Sequence, residues 1–264
     1  MTDYIGRHHR RVGRNGRDTG EALTNNTINF INSTFHSSPT YRVMEVESNK
    51  YTDVKEMEAR VVEVERLGSL REIILRPTYS LEIGMYTRFD GDTWMLIDKY
   101  GGTGSTSVKM LAIRTNQFLR WNDENGDFRE FNCVASATDL GSKSKQSKNE
   151  IEWNKYDVRL PVGQLFVSVE LNEYTRDIGL NHRFIFGRNA YEITGIDDMT
   201  MSDDEGYGII QFTAKITTKR AQDDFESGIA DNKYGDIYYS EEENTSNGIT
   251  SDKDENDMNG GRLW

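Results

Sequence analysis

A single cysteine, only three prolines and the absence of any long apolar run set the first limits on this 264-residue sequence. With Cys133 alone, internal disulfides and a structural zinc site built on several thiolates are excluded, and a reducing or redox-indifferent compartment is expected. No window of about 18 apolar residues occurs, so no transmembrane helix and no membrane partner are expected. The opening MTDYIGRHHRRVGRNG has no apolar stretch behind its arginines and does not read as a secretory signal. Apolar residues make up only 35% of the chain against 29% charged, which is low for one deep core. The length suits one large domain or two ordinary ones.

The charge is polarised. The chain carries −12 in total. Residues 1–18 hold Arg7, Arg10, Arg11, Arg14 and Arg17 against Asp3 and Asp18, a net +3, whereas residues 221–264 hold twelve Asp or Glu against Lys233, Lys253 and Arg262, a net −9. A basic arm, a mildly acidic body and an acidic tail argue against a surface that grips nucleic-acid phosphates. They leave room for one that lets DNA slide past.

One helix is expected, within residues 19–40. Thr19 is a candidate N-cap, Leu23, Thr27, Ile31 and Phe35 recur every four residues with Ile28 and Phe30 widening the stripe, and Ser37-Ser38-Pro39 ends the run. From Tyr41 the period changes to two. Strands are expected near Tyr41–Val46, Val61–Val64 and Leu70–Leu75, then over 84–90, 93–100, 107–113, 117–122, 127–134, 164–171, 183–187, 190–197 and 208–217. The Ser- and Lys-rich segment 136–150 reads as a polar loop, and beyond about Asp236 the chain has too little aliphatic content to fold alone.

An internal repeat organises the β region. Tyr79-Ser-Leu-Glu-Ile83-Gly84-Met-Tyr-Thr-Arg88-Phe89 matches Tyr174-Thr-Arg-Asp-Ile178-Gly179-Leu-Asn-His-Arg183-Phe184 with five identities at an offset of 95. Trp94-Met-Leu96 then aligns with Tyr191-Glu-Ile193, and Val108–Ile113 with Ile209–Ile216. Asp90-Gly91 and Gly187-Arg188-Asn189 supply hairpin turns. The expected architecture is mostly β: two small β-barrel or sandwich domains related by the repeat, over 41–135 and 151–220, with one N-terminal helix packed on one of them and extended polar termini.

Sites for chemistry are few. Gly101-Gly-Thr-Gly-Ser-Thr has neither the lysine nor the following helix of a phosphate loop. Asp123-Glu-Asn125-Gly-Asp127 alternates oxygens like a calcium loop, but Phe128 stands where that loop needs glycine and Val134 where it needs glutamate. It reads as a hairpin turn. His8, His9, His36 and His182 have no metal-ligand spacing and are expected to be solvated or at interfaces, and Cys133 reads as a small buried hydrophobe. No enzyme, cofactor or metal site is expected. The candidate interface residues are the arm arginines Arg7, Arg10, Arg11, Arg14 and Arg17, and the terminal Leu263 and Trp264, a hydrophobic anchor after a polar run. Both ends are expected to be mobile alone and ordered on partners.

Three places carry a family resemblance: the arm and helix running into Phe35…Ser38-Pro39-Thr-Tyr41; the hairpin Gly84-Met-Tyr-Thr-Arg-Phe-Asp-Gly-Asp-Thr-Trp-Met-Leu-Ile-Asp; and the pair Phe118-Leu-Arg-Trp121-Asn-Asp-Glu-Asn-Gly and Arg183-Phe-Ile-Phe-Gly-Arg-Asn-Ala-Tyr-Glu-Ile. In these the chain resembles neck proteins of tailed bacteriophages, the head-closure (stopper) and head–tail connector family. The resemblance implies a structural virion protein made in the host cytoplasm and placed in the neck. It would be a hexameric or dodecameric ring, contacting portal or adaptor and tail proteins and surrounding DNA that it does not bind specifically. A tail-terminator or other capsid or tail protein is the near alternative. A soluble carbohydrate- or peptide-binding β-protein is the alternative from another class.

Overall fold

The order of pairing between strands, more than their positions, organises this molecule. The computed structural model describes residues 5–7, 16, 18–48, 54–64, 68–77, 79–100, 106–123, 125–138, 140, 160–203 and 206–232. It is mostly β. Helix α1 (Thr19–Thr34) continues through a 3-10 turn (Phe35–Ser37) into β1 (Tyr41–Glu47), β2 (Lys55–Glu63), β3 (Leu70–Leu75), β4 (Tyr86–Phe89), β5 (Asp92–Tyr100) and β6 (Lys109–Arg114). After a two-residue connection come β7 (Gln117–Asn122), β8 (Phe128–Ser136), β9 (Gln164–Glu170), the single-turn α2 (Glu173–Arg176), β10 (Arg183–Phe186), β11 (Asn189–Ser202) and β12 (Gly208–Thr217). All of these lie in one compact unit ending at Ala230; Asp231–Trp264 forms a separate unit.

The first six strands close into a barrel in the order β1-β2-β3-β6-β5-β4, sealed by β1 against β4 with Val46 opposite Thr87. The last six form a sheet in the order β7-β8-β9-β12-β11-β10. Counted from its own first strand, each half has the same order, 1-2-3-6-5-4. The details match as well. The two-residue turns after Phe89 and Phe186 open equivalent hairpins. The ladder of β5 on β6 shifts register between Leu96 and Asp98, and that of β11 on β12 between Ile193 and Gly195. Bulges at the same place in two hairpins mark a shared architecture rather than a chance likeness. Gly84 and Asn181, both with positive φ, donate their N–H to the carbonyls of Leu96 and Ile193.

These pairs set the structural offset at 97, two residues more than the offset read from the sequence identities. A shift of two keeps every side chain on its face, which is why the sequence match looked sound. Its consequence is that Arg88 and Arg183 are not equivalent. Arg183 occupies the place of Tyr86.

The other corrections have physical causes too. The first β-domain ends at Arg114, not 135, because β7 and β8 pair into the second sheet. The helix is capped by Asp18 rather than Thr19: its carboxylate accepts the Glu21 N–H at 2.8 Å, where its charge also suits the helix N-terminus. Nor does the stripe on α1 pack along its length; Ala22 is the one buried residue in the helix, while Leu23 and Phe30 are 63% and 68% exposed. The acidic segment does not begin a tail at 221, because residues through Ala230 belong to the folded unit. Within 136–150, only 136–138 and 140 lie among the described residues, and Leu140 is buried.

Three apolar clusters hold this unit together. Met44, Val46, Ala59, Ile73, Leu75, Leu96 and Met110 fill the barrel. Leu119, Trp121, Cys133, Val167, Phe184, Ile193 and Phe212 line the core of the second sheet. The third lies between the halves: Leu70, Tyr86, Met95, Ile97, Leu111 and Ile113 on the outside of the barrel meet Val134, Leu140 and Ile209. Strands β3, β5 and β6 are therefore covered on both faces, and their runs Leu70–Leu75, Trp94–Ile97 and Met110–Ile113 are correspondingly rich in apolar residues instead of alternating. At the equivalent places of the second half stand Gln164, Arg183, Glu192, Thr194, Thr213 and Lys215, on a face where Thr194 and Lys215 are exposed. One repeat buries this face. The other wets it.

Candidate functional site

Three constructions stand out, and each fixes one element to another. The first is at the base of α1. Pro39 stops the chain from continuing as helix, and the 3-10 turn drives Phe35 inward until it is wholly buried. Arg60 and Arg76 lie over the Phe35 ring at 4.7 and 4.9 Å. Arg60 also donates to the carbonyls of Thr34 (2.7 Å) and Phe35 (3.3 Å), so a cation satisfies the free carbonyls at the helix C-terminus. Glu58 gathers the rest: Arg76 Nε lies 2.7 Å from Oε2, the Tyr41 hydroxyl donates to Oε1 at 2.9 Å, and His36 packs beside Tyr41 while contacting Arg76 at 2.7 Å. The hydrogen bond to Glu58 raises the Tyr41 pKa, the opposite of what a nucleophile or base needs. The cluster is a clamp.

The second construction joins the two halves. Tyr86 leaves the barrel surface and puts its hydroxyl between β8 and β9, donating to the Asn132 carbonyl at 2.5 Å and accepting the Glu170 N–H at 3.2 Å. The ladder of β8 on β9 runs from Ser136 opposite Phe166 only as far as Val134 opposite Ser168. The phenol thus serves backbone groups beyond the end of that ladder. Burial pushes the Tyr86 pKa well above its ordinary value. Beside it, Ser48 donates to the buried Glu170 carboxylate at 2.9 Å. Gly84 and Gly208 cross so closely that a Cβ at Gly84 would collide with the Gly208 carbonyl. Positive φ at both makes glycine the fitting residue twice over.

The third replaces a missing seam. β7 and β10 are the outer strands of the second sheet and share no backbone ladder, although Trp121 and Phe184 meet edge to face at 6.1 Å. The chain after β12 returns as a strap across this gap. The wholly buried Arg183 of β10 makes a two-point ion pair with Asp223 at 2.8 and 2.9 Å and donates to the Thr218 carbonyl at 2.8 Å. Asp223 also accepts the Arg220 N–H. At the far side Arg120 of β7 reaches the Ser227 carbonyl at 3.4 Å. In between, Asp224 accepts from the Ser227 hydroxyl and the N–H groups of Ser227 and Glu226, which hold its pKa low.

The remaining expected sites divide plainly. Asp123 does close the β7–β8 hairpin, accepting from Asn125 and Asp127 N–H and from Arg129 at 2.7 and 2.9 Å, so its oxygens are engaged in the turn. Cys133 is buried and its thiol is pushed well up. His182 is half-buried: it stacks on Phe184 at 4.8 Å, and burial lowers its pKa to about 4. Among the described residues no group of three or more His, Cys, Asp or Glu is placed to hold a metal ion. Arg7 is described and exposed. Arg10, Arg11, Arg14, Arg17, Leu263 and Trp264 lie outside the described residues. The sequence reading missed Tyr86, Gly208, Arg183 and Asp223 as fasteners; only the buried place of Arg183 in an apolar strand carried a signal.

Residues 117–215 match the YomX C-terminal domain, a phage-derived family of the Bacillus prophage SPbeta type. The match begins at the first residue of β7 and ends within β12, so the similarity falls on the second half of the repeat. No curated protein matches the chain. Among solved structures, K. pneumonia MrkH is similar at 8% identity, with a TM-score of 0.23, covering 84% of this chain and 94% of that one. A structure of MrkH described as a c-di-GMP-dependent transcription regulatory factor gives 8% identity and a TM-score of 0.20, over 76% of this chain and 86% of the other. Likeness at that level carries no weight for function.

Proposed function

We propose that this chain is a structural virion protein of the phage neck, a ring subunit that joins the portal and capsid to the tail around the DNA channel. The observation that supports the reading is the similarity of residues 117–215 to a phage-derived family. The mechanics support it. A closed barrel is locked to a strapped sheet by a shared apolar cluster and by Tyr86, giving a stiff two-domain body. Such a body holds its shape when neighbours pull on it. Barrel closure also removes the edges of the first sheet, which would otherwise pair indiscriminately in an assembly.

Electrostatics fit the same role. A chain of net −12 repels the phosphates of DNA moving through a ring, so passage is not slowed by binding. We assign the protein no catalytic step: its polar clusters consist of groups engaged with one another, and the His36, Tyr41, Glu58 and Arg76 cluster seats a helix. Its partners are neighbouring copies, portal or adaptor proteins and tail proteins. Deleting the gene from its phage tests this. DNA-filled heads without attached tails are the expected result; infectious, normally tailed particles would overturn it.

A further inference from the structure

Helix α1 is 16 residues long, yet only Ala22 in it is buried, and the clamp on Phe35 just beyond its end fixes it to the barrel. Leu23, Thr27 and Phe30 stand at i, i+4 and i+7, so they share one face, with Leu23 63% and Phe30 68% exposed. The sequence here is rich in Asn and β-branched residues, which are poor helix formers, and an isolated helix of this length is marginal in water. A helix of this kind persists when something covers it.

Charge says what the cover is. Between Glu21 and Arg42 the sequence contains no Asp, Glu, Lys or Arg, the longest such interval in a chain that is 29% charged. A DNA backbone or a strongly charged partner finds nothing there to pair with. Two copies of a chain carrying −12 repel each other over most of their surfaces, and contact costs least where both are neutral. We infer that the Leu23–Thr27–Phe30 face of α1 is the surface by which one copy of this chain docks on the next. This rests on the ring reading and names the contact that builds the ring. The clamp at Phe35 holds the C-terminal end of the helix in place, as a repeated subunit contact requires.

Sedimentation velocity and native mass spectrometry of the full-length chain test the inference, using wild type, the double variant Leu23→Glu/Phe30→Glu and the control Val162→Glu at a fully exposed site. Far-UV circular dichroism and thermal melts confirm that each variant folds. Wild type and the control should self-associate. The association should strengthen between about 0.1 M and about 1 M salt, as the Debye length falls from ~10 to ~3 Å and repulsion is screened. The double variant should associate at least about tenfold more weakly, because two carboxylates would be desolvated in the contact. A wild type that stays monomeric throughout would overturn the inference, as would a folded double variant that associates as tightly as wild type. Association that weakens with salt and ignores the variant would overturn it too, and would assign the contact to the basic arm. Particle incorporation is a separate readout: a monomeric chain found in particles sinks this inference alone, whereas α1-dependent association of a chain absent from particles sinks the neck reading alone.

Discussion

Replacing Tyr86 by Phe isolates the junction between the two halves, because it removes one oxygen and leaves the ring among Leu70, Met95 and Ile113. The hydroxyl makes two bonds, one donated to Asn132 O and one accepted from Glu170 N–H. Glu170 is buried at 6% exposure, so its N–H loses its partner with no water to replace it, whereas the half-buried Asn132 carbonyl is easier to hydrate. An orphaned buried backbone group costs about 1–3 kcal/mol and a partly hydrated one less, giving about 2–4 kcal/mol for the substitution. In urea denaturation the midpoint should fall without a change in slope. In a folded unit of this size the melting temperature should drop by roughly 2–4 °C per kcal/mol. The pH dependence gives a second readout. The folded Tyr86 pKa lies well above the unfolded value near 10, so the neutral phenol contributes stability that is intact below about pH 10 and lost as pH rises beyond it. The Phe variant should lose that part of the alkaline slope. A loss below about 0.5 kcal/mol with an unchanged alkaline slope would refute the claim that this hydroxyl fastens the junction.

Four further outcomes follow from the same geometry. Asp223→Ala strands the buried Arg183 and should cost about 3–5 kcal/mol, with new proteolytic cleavage in 218–230 read by mass spectrometry. Gly84→Ala drives a methyl into the Gly208 carbonyl at a positive φ; it should destabilise by more than about 2 kcal/mol, measured by chemical denaturation. His182 has a folded pKa of about 4, below the unfolded value near 6.5, so its share of stability is present above about pH 6.5 and lost as pH falls toward 4; His182→Gln should flatten the wild-type stability profile over that window. Phe35→Ala should release the base of α1 and lower the helical circular dichroism signal while leaving the β signal, at a cost of about 3–5 kcal/mol.

Most strands were legible because their signals are local. Asp90-Gly91 and Gly187 take the positive φ values that their residue types favour, and period two flanks them on both sides. Sheet membership was not legible. β6 and β7 are separated by Thr115 and Asn116 alone, with no glycine, proline or change of composition to mark a boundary, and only pairing with the distant β9 places β8 in the second sheet. The strap was hidden for a related reason: Asp223 lies in an acidic stretch, and its partner Arg183 stands in a strand 40 residues earlier. Periodicity on α1 identified an apolar stripe but could not say what covers it, since that is set by contacts beyond the helix. Of the candidate interface residues, Arg7 alone falls among those described, so the fasteners now assigned came from burial and hydrogen bonding instead of charge pattern.

The neck assignment is tested most directly by a cryo-electron-microscopy reconstruction of purified phage particles, combined with quantitative mass spectrometry of their proteins. The account predicts this chain as a closed ring between portal and tail, its two β-domains joined at Tyr86 and present in a whole-ring copy number. Particles of full infectivity that contain none of it, or that place it outside the neck, would contradict the account.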